Sequence, residues 1–260
     1  MNGSRVNPNA PQDLFCDYDV VCFVSDPGRF LLDQSWIAGF GELVILQQNE
    51  WVDHAATSYI FLMLFADGVR IDLSFNSLPN LAFLTDDSLT AVLLDKDGRI
   101  PPLLPPCDRD YWTQKPSPRE FAETVNEIFW CSNNVAKGIW RDELPYVKAM
   151  LEEIIRPCAL RLLAWYAASQ HDWKLDSGKF GKWLRRYLPP EVWQAYAATY
   201  SGPGYAETWE ALFAMLALAR TVGQEVAQAL AYPYPLADDQ RTVAYLQRVR
   251  ALPPEATSFD

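Results

Sequence analysis

The stretch Asp17-Tyr18-Asp19-Val20-Val21-Cys22-Phe23-Val24 places two acids directly before an apolar run. In a strand every second side chain points to the same face, so Asp17 and Asp19 would leave one face of a sheet close together. Two like charges held that close require a cation. Mg²⁺ suits them, because it binds carboxylate oxygens and keeps open positions for water or phosphate. The stretch therefore predicts a strand that carries a metal-binding pair.

A third carboxylate lies in a second apolar run, Arg70-Ile71-Asp72-Leu73-Ser74-Phe75. Strand alternation places Asp72 on one face and Ile71, Leu73 and Phe75 on the other. An isolated Asp-x-Asp pair is more often a solvated feature of a loop or a strand edge. A carboxylate buried without a partner, however, costs several kcal/mol, so a third acid in an apolar run favours a metal site. If the two strands are neighbours, the three acids meet at one point.

Length and composition indicate a globular protein of two domains. The chain has 260 residues, of which 50% are hydrophobic, so it can bury a full core. Its apolar runs are shorter than the about 18 residues that cross a bilayer, and residues 1–5 lack the apolar segment of a secretory signal. Five cysteines without Cys-x-x-Cys spacing argue against a disulfide framework and a zinc site. We therefore expect a cytoplasmic protein.

The negative charge is concentrated in the first part of the chain. The formal net charge is −11; residues 1–100 carry 14 acidic and 5 basic side chains, whereas residues 101–260 carry 19 and 17. Such a field repels nucleic acid and attracts cations, either metal ions or a polyamine-like substrate. Ordinary acidic solubility is the alternative explanation, although it would spread the charge evenly.

The hydrophobic period changes along the chain from about two to about 3.6 residues. After the first strand, residues 30–40 predict a short amphipathic helix, and residues 66–68 predict a hairpin turn. Leu89–Leu94 is either a strand or the end of a helix. The further strand candidates are Leu43–Gln47, Ser58–Phe65 and Val69–Phe75.

Residues 100–118 contain six prolines, which exclude the interiors of helices and strands. We therefore predict two domains, residues 1–115 and 116–260, joined in this segment. Within the second, Pro157 should kink or divide a helix. The helix candidates are Pro118–Trp140, Glu143–Ser169, Lys179–Leu188, Pro190–Tyr200, Ala206–Ala231 and Asp239–Ala251.

Two polar stretches are candidates for binding phosphate. The turn Gly3-Ser4-Arg5 offers backbone N–H groups, a hydroxyl and a fixed positive charge. Gly178-Lys179-Phe180-Gly181-Lys182 places cationic groups near a predicted helix start. Without further information, two solvated lysines are the commoner explanation of the second stretch.

These stretches together resemble the streptomycin (aminoglycoside 6-) adenylyltransferase family of the polymerase-β-type nucleotidyltransferase superfamily. The resemblance runs from Gly3 to about Pro235, over a dozen blocks in the same order. It implies an α+β protein, in which a mixed-sheet domain holds metal and nucleotide and a helical bundle binds the acceptor. Family members have a helix and a strand before the Gly-Ser turn, which this chain is expected to lack. The blocks include Gly-Ser-Arg, Asp-Tyr-Asp, residues 61–65, Arg70–Leu73, residues 95–100, residues 115–120, Asn126–Trp130, Lys137-Gly138 and residues 209–213.

The resemblance also implies an activity, the transfer of AMP from ATP to a hydroxyl of streptomycin with Mg²⁺ as cofactor. Asp17 and Asp19 match the metal-binding pair of the superfamily. Asp72 matches the third carboxylate, which binds the metal nearest the attacking hydroxyl or helps to deprotonate it. In the same comparison, the residues expected to bind the triphosphate are Gly3, Ser4, Arg5 and, from the helical domain, Lys179.

The expected partners are ATP and a streptomycin-like aminoglycoside, whose guanidinium groups suit an acidic cleft. We expect no nucleic acid and no membrane partner, and a monomer or weak dimer. Two alternatives remain open at this point. The protein could transfer a nucleotide to another small-molecule or protein acceptor, or it could be an N-terminally truncated, non-catalytic protein that binds nucleotide or drug.

Overall fold

The structure, a computed structural model, describes residues 1–53 and 56–259. Their contacts divide the chain into two compact units, Met1–Asp110 and Tyr111–Asp260. The first unit contains a sheet and the second contains long helices, so the predicted α+β class is confirmed. The predicted domain limits, 1–115 and 116–260, stay a prediction.

The first unit is built on a four-stranded mixed sheet in the order β1-β4-β3-β2. β1 is parallel to β4, whereas β3 is antiparallel to both β4 and β2. A tight turn after Phe65 joins β3 to β4, as predicted, with the Gly68 N–H donating to the Phe65 carbonyl. The strands are β1 (Tyr18–Val24), β2 (Leu43–Asp53), β3 (Ala56–Phe65) and β4 (Arg70–Ser77).

The core of the first unit lies on one face of this sheet. Phe61 from β3 and Phe75 from β4 are buried there, and Trp36 packs edge-on against both rings. Phe30 stacks on Phe75 with 3.8 Å between ring centroids. Because side chains alternate along β4, burying Leu73 and Phe75 turns Asp72 to the other face.

The segment between β1 and β2 is divided, where a single amphipathic helix was predicted. It consists of the short helix α1 (Gly28–Leu32) and a 3₁₀ turn, Ser35–Phe40. Asp33 lies between them, and its carboxylate accepts a hydrogen bond from the Ser35 N–H. An aspartate that bonds to backbone two residues ahead favours a turn over a continuing helix.

The second unit is helical and has one hydrophobic core, to which all its longer helices contribute. α2 begins as its sequence predicts, since Ser117 and Glu120 form a capping box and Pro118 occupies the first turn. None of the helices within residues 1–53 and 56–259 is long and apolar enough to cross a membrane. The helices of this unit are α2 (Pro118–Trp140), α3 (Leu144–Ala149), α4 (Arg156–Ser169), α5 (Pro190–Ala197), α6 (Tyr205–Leu230) and α7 (Leu236–Ala251).

The segment predicted to be kinked or divided at Pro157 is a continuous helix from Leu144 to Ser169, whose geometry changes to a π-helical turn just before Pro157. α3 ends at Ala149, residues Met150–Ile155 follow in π-helical geometry, and α4 begins at Arg156. Proline has no N–H, so it cannot make the α-helical hydrogen bond to the carbonyl four residues earlier. The wider π-helical bonding absorbs this lost bond just before Pro157.

Two other predicted elements are wrong. Lys179–Leu188 is not a helix but contains two short 3₁₀ turns, Lys179–Gly181 and Leu184–Arg186. Gly178, Phe180 and Gly181 have positive φ, which a right-handed helix excludes. Leu89–Leu94 is irregular, being neither a strand nor a helix end.

Candidate active site

The three predicted acids lie on the two parallel strands of the sheet. β1 begins at Tyr18, so Asp19 is inside the strand and Asp17 immediately precedes it, where the sequence predicted both within the strand. Asp19 is directly opposite Asp72 in the β1–β4 register. Opposite residues of adjacent strands point to the same face, so these two carboxylates leave the sheet side by side.

Arg70, the first residue of β4, links Asp72 to Asp17. Its Nε and Nη2 donate to Asp72 Oδ1 and Oδ2 at 2.8 and 2.7 Å, and its Nη1 lies 3.5 Å from Asp17 Oδ2. The planar guanidinium matches both oxygens of one carboxylate, which makes this one of the stronger kinds of ion pair. The hydrogen bonds to Asp72 raise the pKa of the Arg70 guanidinium, and the charges of Asp17 and Asp19 act in the same direction.

The Gly-Ser turn lies directly against Asp19. The Asn2 N–H donates to the Asp19 carbonyl at 2.9 Å, and this bridge brings the 3₁₀ turn Gly3–Val6 beside β1. Gly3 has φ of +75°, and a Cβ on it would lie 2.3 Å from Asp19 Oδ2. Both the backbone conformation and the space therefore require glycine, and Ser4 follows it in the same turn.

Arg5 fixes the turn to the segment that enters β1. Its Nη2 donates to the Cys16 carbonyl at 2.6 Å and its Nε to the Asp17 carbonyl at 3.3 Å. The guanidinium also lies over the Tyr18 ring, 3.7 Å from its centroid. These contacts give Arg5 a structural role, and its contact with a triphosphate stays a prediction.

Lys179 belongs to the second unit, in the 3₁₀ turn Lys179–Gly181. Its Nζ lies 5.5 Å from the centroid of the Phe180 ring, which is largely exposed. The predicted contact of Lys179 with phosphate also stays a prediction.

The acid cluster, defined as Asp17, Asp19 and Asp72, fits a hard cation by its donor chemistry. It offers only carboxylate oxygens, which Mg²⁺ prefers, and the charges of all three act on the Arg70 guanidinium. Within residues 1–53 and 56–259, however, no three His, Cys, Asp or Glu side chains are placed to hold a metal ion as they stand. Two of the acids, Asp72 and Asp17, instead lie against the Arg70 guanidinium.

Arg70 lies within a predicted strand, but its contact with the acids is not predicted. The signal was present, because residues 70 and 72 are two apart in an alternating stretch and so share a face. An arginine two residues before a predicted metal ligand is a candidate partner of that ligand.

A cavity of about 520 Å³ runs along β1 from Val20, the residue after Asp19, and Met1 is part of its lining. It is lined by residues 20–26, by residues of the 3₁₀ helix Leu78–Asp86 and by the loop at 91–100. The acid cluster is not part of its described lining. The candidate site is the acid cluster with the Gly-Ser turn, and the cavity begins beside it, at Met1 and Val20.

Comparisons with known proteins agree with the geometry. Residues 1–249 match the family model described as streptomycin adenylyltransferase. The chain is 37% identical over 245 residues to aminoglycoside 6-adenylyltransferase of Bacillus subtilis (strain 168), covering 92% of this chain and 86% of the relative. It is also 37% identical over 246 residues to the Campylobacter jejuni enzyme of the same name, covering 92% and 85%.

A solved structure extends the likeness to the fold. The crystal structure of an aminoglycoside 6-adenyltransferase from Bacillus subtilis superposes with a TM-score of 0.53 at 34% identity, covering 91% of this chain and 89% of that one. The resemblance inferred from the sequence is thus confirmed, and with it the assignment as an enzyme. The chain is an adenylyltransferase that belongs to the streptomycin adenylyltransferase family.

Proposed function

We propose that the protein transfers AMP from ATP to the 6-hydroxyl of streptomycin and thereby confers resistance to the drug. The observation that carries this proposal is the pairing of Asp19 opposite Asp72, with the Gly3 turn against the Asp19 carboxylate. Family membership narrows the chemistry to adenylyl transfer, and the relatives named above act, by their names, on aminoglycosides.

In the proposed reaction the hydroxyl oxygen of the acceptor attacks the α-phosphorus of ATP. The bond between the α-phosphorus and the oxygen bridging to the β-phosphate breaks, and pyrophosphate leaves with that electron pair. Asp72 accepts or directs the hydroxyl proton. Bound Mg²⁺ would activate the hydroxyl and neutralise the charge of the leaving group. The remaining task of the chain is to position its two substrates.

We assign the positioning roles to the predicted residues. Asp17, Asp19 and Asp72 would hold Mg²⁺, which their donor set suits. The backbone of Gly3 and the hydroxyl of Ser4 would contact the triphosphate, because a positive-φ turn beside an ion site brings N–H groups close to phosphate oxygens. We propose the same ligand for Arg5 and, from the second unit, for Lys179.

We further propose that residues 1–115 form the nucleotidyltransferase domain and that residues 116–260 bind the acceptor. The net charge of −11 favours an acceptor with guanidinium groups over a nucleic acid. We expect the enzyme to be cytoplasmic, because ATP is abundant in the cytoplasm and the five free cysteines stay reduced there. We also expect a monomer or weak dimer.

The test is pyrophosphate release by the full chain with ATP and streptomycin, a second aminoglycoside such as kanamycin, or no acceptor. We expect release that requires both streptomycin and Mg²⁺ and that EDTA abolishes. Release with another acceptor alone would point to a different substrate. Binding of ATP or drug without release would identify a non-catalytic binding protein.

Two variants test whether the reaction takes place at the acid cluster. Asp19→Asn should lower pyrophosphate release at least about a hundredfold, since it removes a charged ligand from the ion that stabilises the transition state. Asp86→Asn is the matched control, because it removes one exposed carboxylate of the same unit outside the acid cluster. Equal activity of the two variants would remove the acid cluster from the mechanism.

A further inference from the structure

The acid cluster already contains a cation, and that cation belongs to the chain. Arg70 hydrogen-bonds both oxygens of Asp72 and lies within ion-pair distance of Asp17. The Arg70 guanidinium thus lies in the field of all three carboxylates, while the charge of Asp19 also acts on the Met1 ammonium. Carboxylates held this close attract a divalent cation although Asp17 and Asp72 already contact Arg70.

An ion that coordinates both Asp17 and Asp72 competes with Arg70 for space. The guanidinium lies between these two carboxylates, with Nη1 facing Asp17 and Nη2 facing Asp72. Mg²⁺ requires its oxygen ligands at about 2.0–2.1 Å, which leaves no room for a guanidinium between them. The two cations cannot occupy this position together.

We propose that Arg70 is the internal counter-ion of the metal site, holding Asp17 and Asp72 together without a divalent ion and releasing Asp72 when one binds. This inference rests on the proposed function, since it concerns the same acids. Arg70 thereby acts as a positioning residue, because it acts through the two proposed ligands of the ion, Asp17 and Asp72. It sets the affinity of the free enzyme for divalent ions.

The surroundings of Arg70 permit this exchange. Its side chain is 45% exposed, so the released guanidinium can return to water. An ion pair in such a position is screened and contributes little net stability, which makes it replaceable by a stronger ligand. Its position at the first residue of β4, next to the hairpin turn, leaves the side chain free of the sheet interior.

Competition predicts that removing the guanidinium strengthens divalent-ion binding. The probe is Mn²⁺ added to the metal-stripped full chain without nucleotide, with bound ion measured by electron paramagnetic resonance. Arg70→Gln should bind Mn²⁺ about three- to tenfold more tightly than the unaltered chain, because a half-exposed pair no longer competes. Arg70→Lys keeps the charge but cannot donate two parallel hydrogen bonds to Asp72. Its Mn²⁺ affinity should lie between those of Arg70→Gln and the unaltered chain.

The matched control is Arg99→Gln, which removes the same charge from an exposed ion pair with Asp97 at 3.1 Å in the same unit. Its Mn²⁺ affinity should equal that of the unaltered chain. Thermal unfolding gives a second readout. In EDTA, Arg70→Gln should melt about 2–4 °C lower, because the acids lose their counter-ion, and Mn²⁺ should raise its Tm more than that of the unaltered chain.

One outcome would overturn the inference alone, namely an unchanged or weakened Mn²⁺ affinity of Arg70→Gln while the unaltered chain binds the ion. If the same variant also loses ATP affinity, Arg70 is a phosphate ligand instead. If Arg70→Gln does not fold, an unchanged affinity of Arg70→Lys overturns the inference in its place. Absence of Mn²⁺ binding by every chain, with or without ATP, would overturn both the inference and the proposed function.

Discussion

Two arginine–aspartate pairs, one in each unit, share the same bidentate geometry in different surroundings. In the helical unit, Arg220 donates to both oxygens of Asp239 at 2.6 and 2.5 Å, and the Asp239 side chain is 0% exposed. In the sheet unit, Arg70 binds Asp72 in the same way, but the Asp72 side chain is 16% exposed.

Each of these two ion pairs contacts one further side chain, and that side chain differs in its chemistry. Asp239 also accepts a hydrogen bond from the Tyr234 hydroxyl at 2.9 Å. Burial and the Asp239 carboxylate raise the pKa of Tyr234, so its hydroxyl stays protonated and remains a donor. The further side chain at the Arg70–Asp72 pair is instead a second acid, Asp17, which lies 3.5 Å from Arg70. The first pair is a satisfied ion pair between α6 and α7, whereas in the second one guanidinium lies between two acids and is, as proposed, open to exchange.

The largest effect is expected from breaking the buried ion pair. Asp239→Ala should lower the free energy of unfolding by about 3 kcal/mol, because it leaves Arg220 and Tyr234 without their shared acceptor. Urea unfolding measures this loss. The control is Asp238→Ala at the adjacent position, an exposed acid that pairs with Arg241 and should contribute less than about 1 kcal/mol. Equal losses would show that burial does not distinguish these acids.

The next effect is expected at Gly3, whose backbone lies against the Asp19 carboxylate in the sheet unit. Gly3→Ala should lower the free energy of unfolding by about 1–2 kcal/mol, since φ is positive and the new Cβ would meet Asp19 Oδ2. Displacing Asp19 should also lower pyrophosphate release at least about tenfold. Gly98→Ala is matched in backbone conformation but has open space around it, so only the backbone strain should remain. If Gly98→Ala lowers activity equally, the approach of the turn to Asp19 has no special role.

A smaller effect on stability is expected at the Arg70–Asp72 pair, whose arginine side chain is 45% exposed. Asp72→Asn should change the free energy of unfolding by less than about 1 kcal/mol, although it breaks the same bidentate geometry as in the helical unit. Arg70 keeps Asp17 as a partner and has access to water. Activity should nevertheless fall, because a ligand of the ion is lost. A loss of stability as large as that of Asp239→Ala would make the pair a structural one and contradict its proposed exchange.

The sequence predicts the fold best where a local signal marks the start of an element. α2 has the predicted limits, Pro118–Trp140, because its capping box marks the start. β2 runs to Asp53 although only Leu43–Gln47 was predicted, since an edge strand exposed on both faces has no alternating pattern. The prediction of a helix at Lys179–Leu188 was wrong because Gly178 and Gly181 adopt positive φ, a conformation that the sequence does not specify.

The acids could be predicted from the sequence, but their register could not. Alternation shows which face Asp72 occupies, yet placing Asp19 opposite it depends on pairing between strands more than fifty residues apart. The same register brings Arg70 beside Asp17, which is why its role emerged only from the structure.

The smallest expected effect is the response of each pair to salt. A double-mutant cycle on Arg70 and Asp72 should give a coupling free energy of about 1 kcal/mol at low ionic strength, which falls toward zero near 1 M NaCl. The cycle on Arg220 and Asp239 should give a larger coupling that salt changes by less than about 0.3 kcal/mol, because ions in solution do not reach a fully buried carboxylate. Unfolding of the four chains in each cycle, in metal-free buffer at both ionic strengths, measures these values. Equal salt dependence would mean that Asp72 is as shielded as Asp239, and an acid so shielded could not exchange its arginine for an ion from solution.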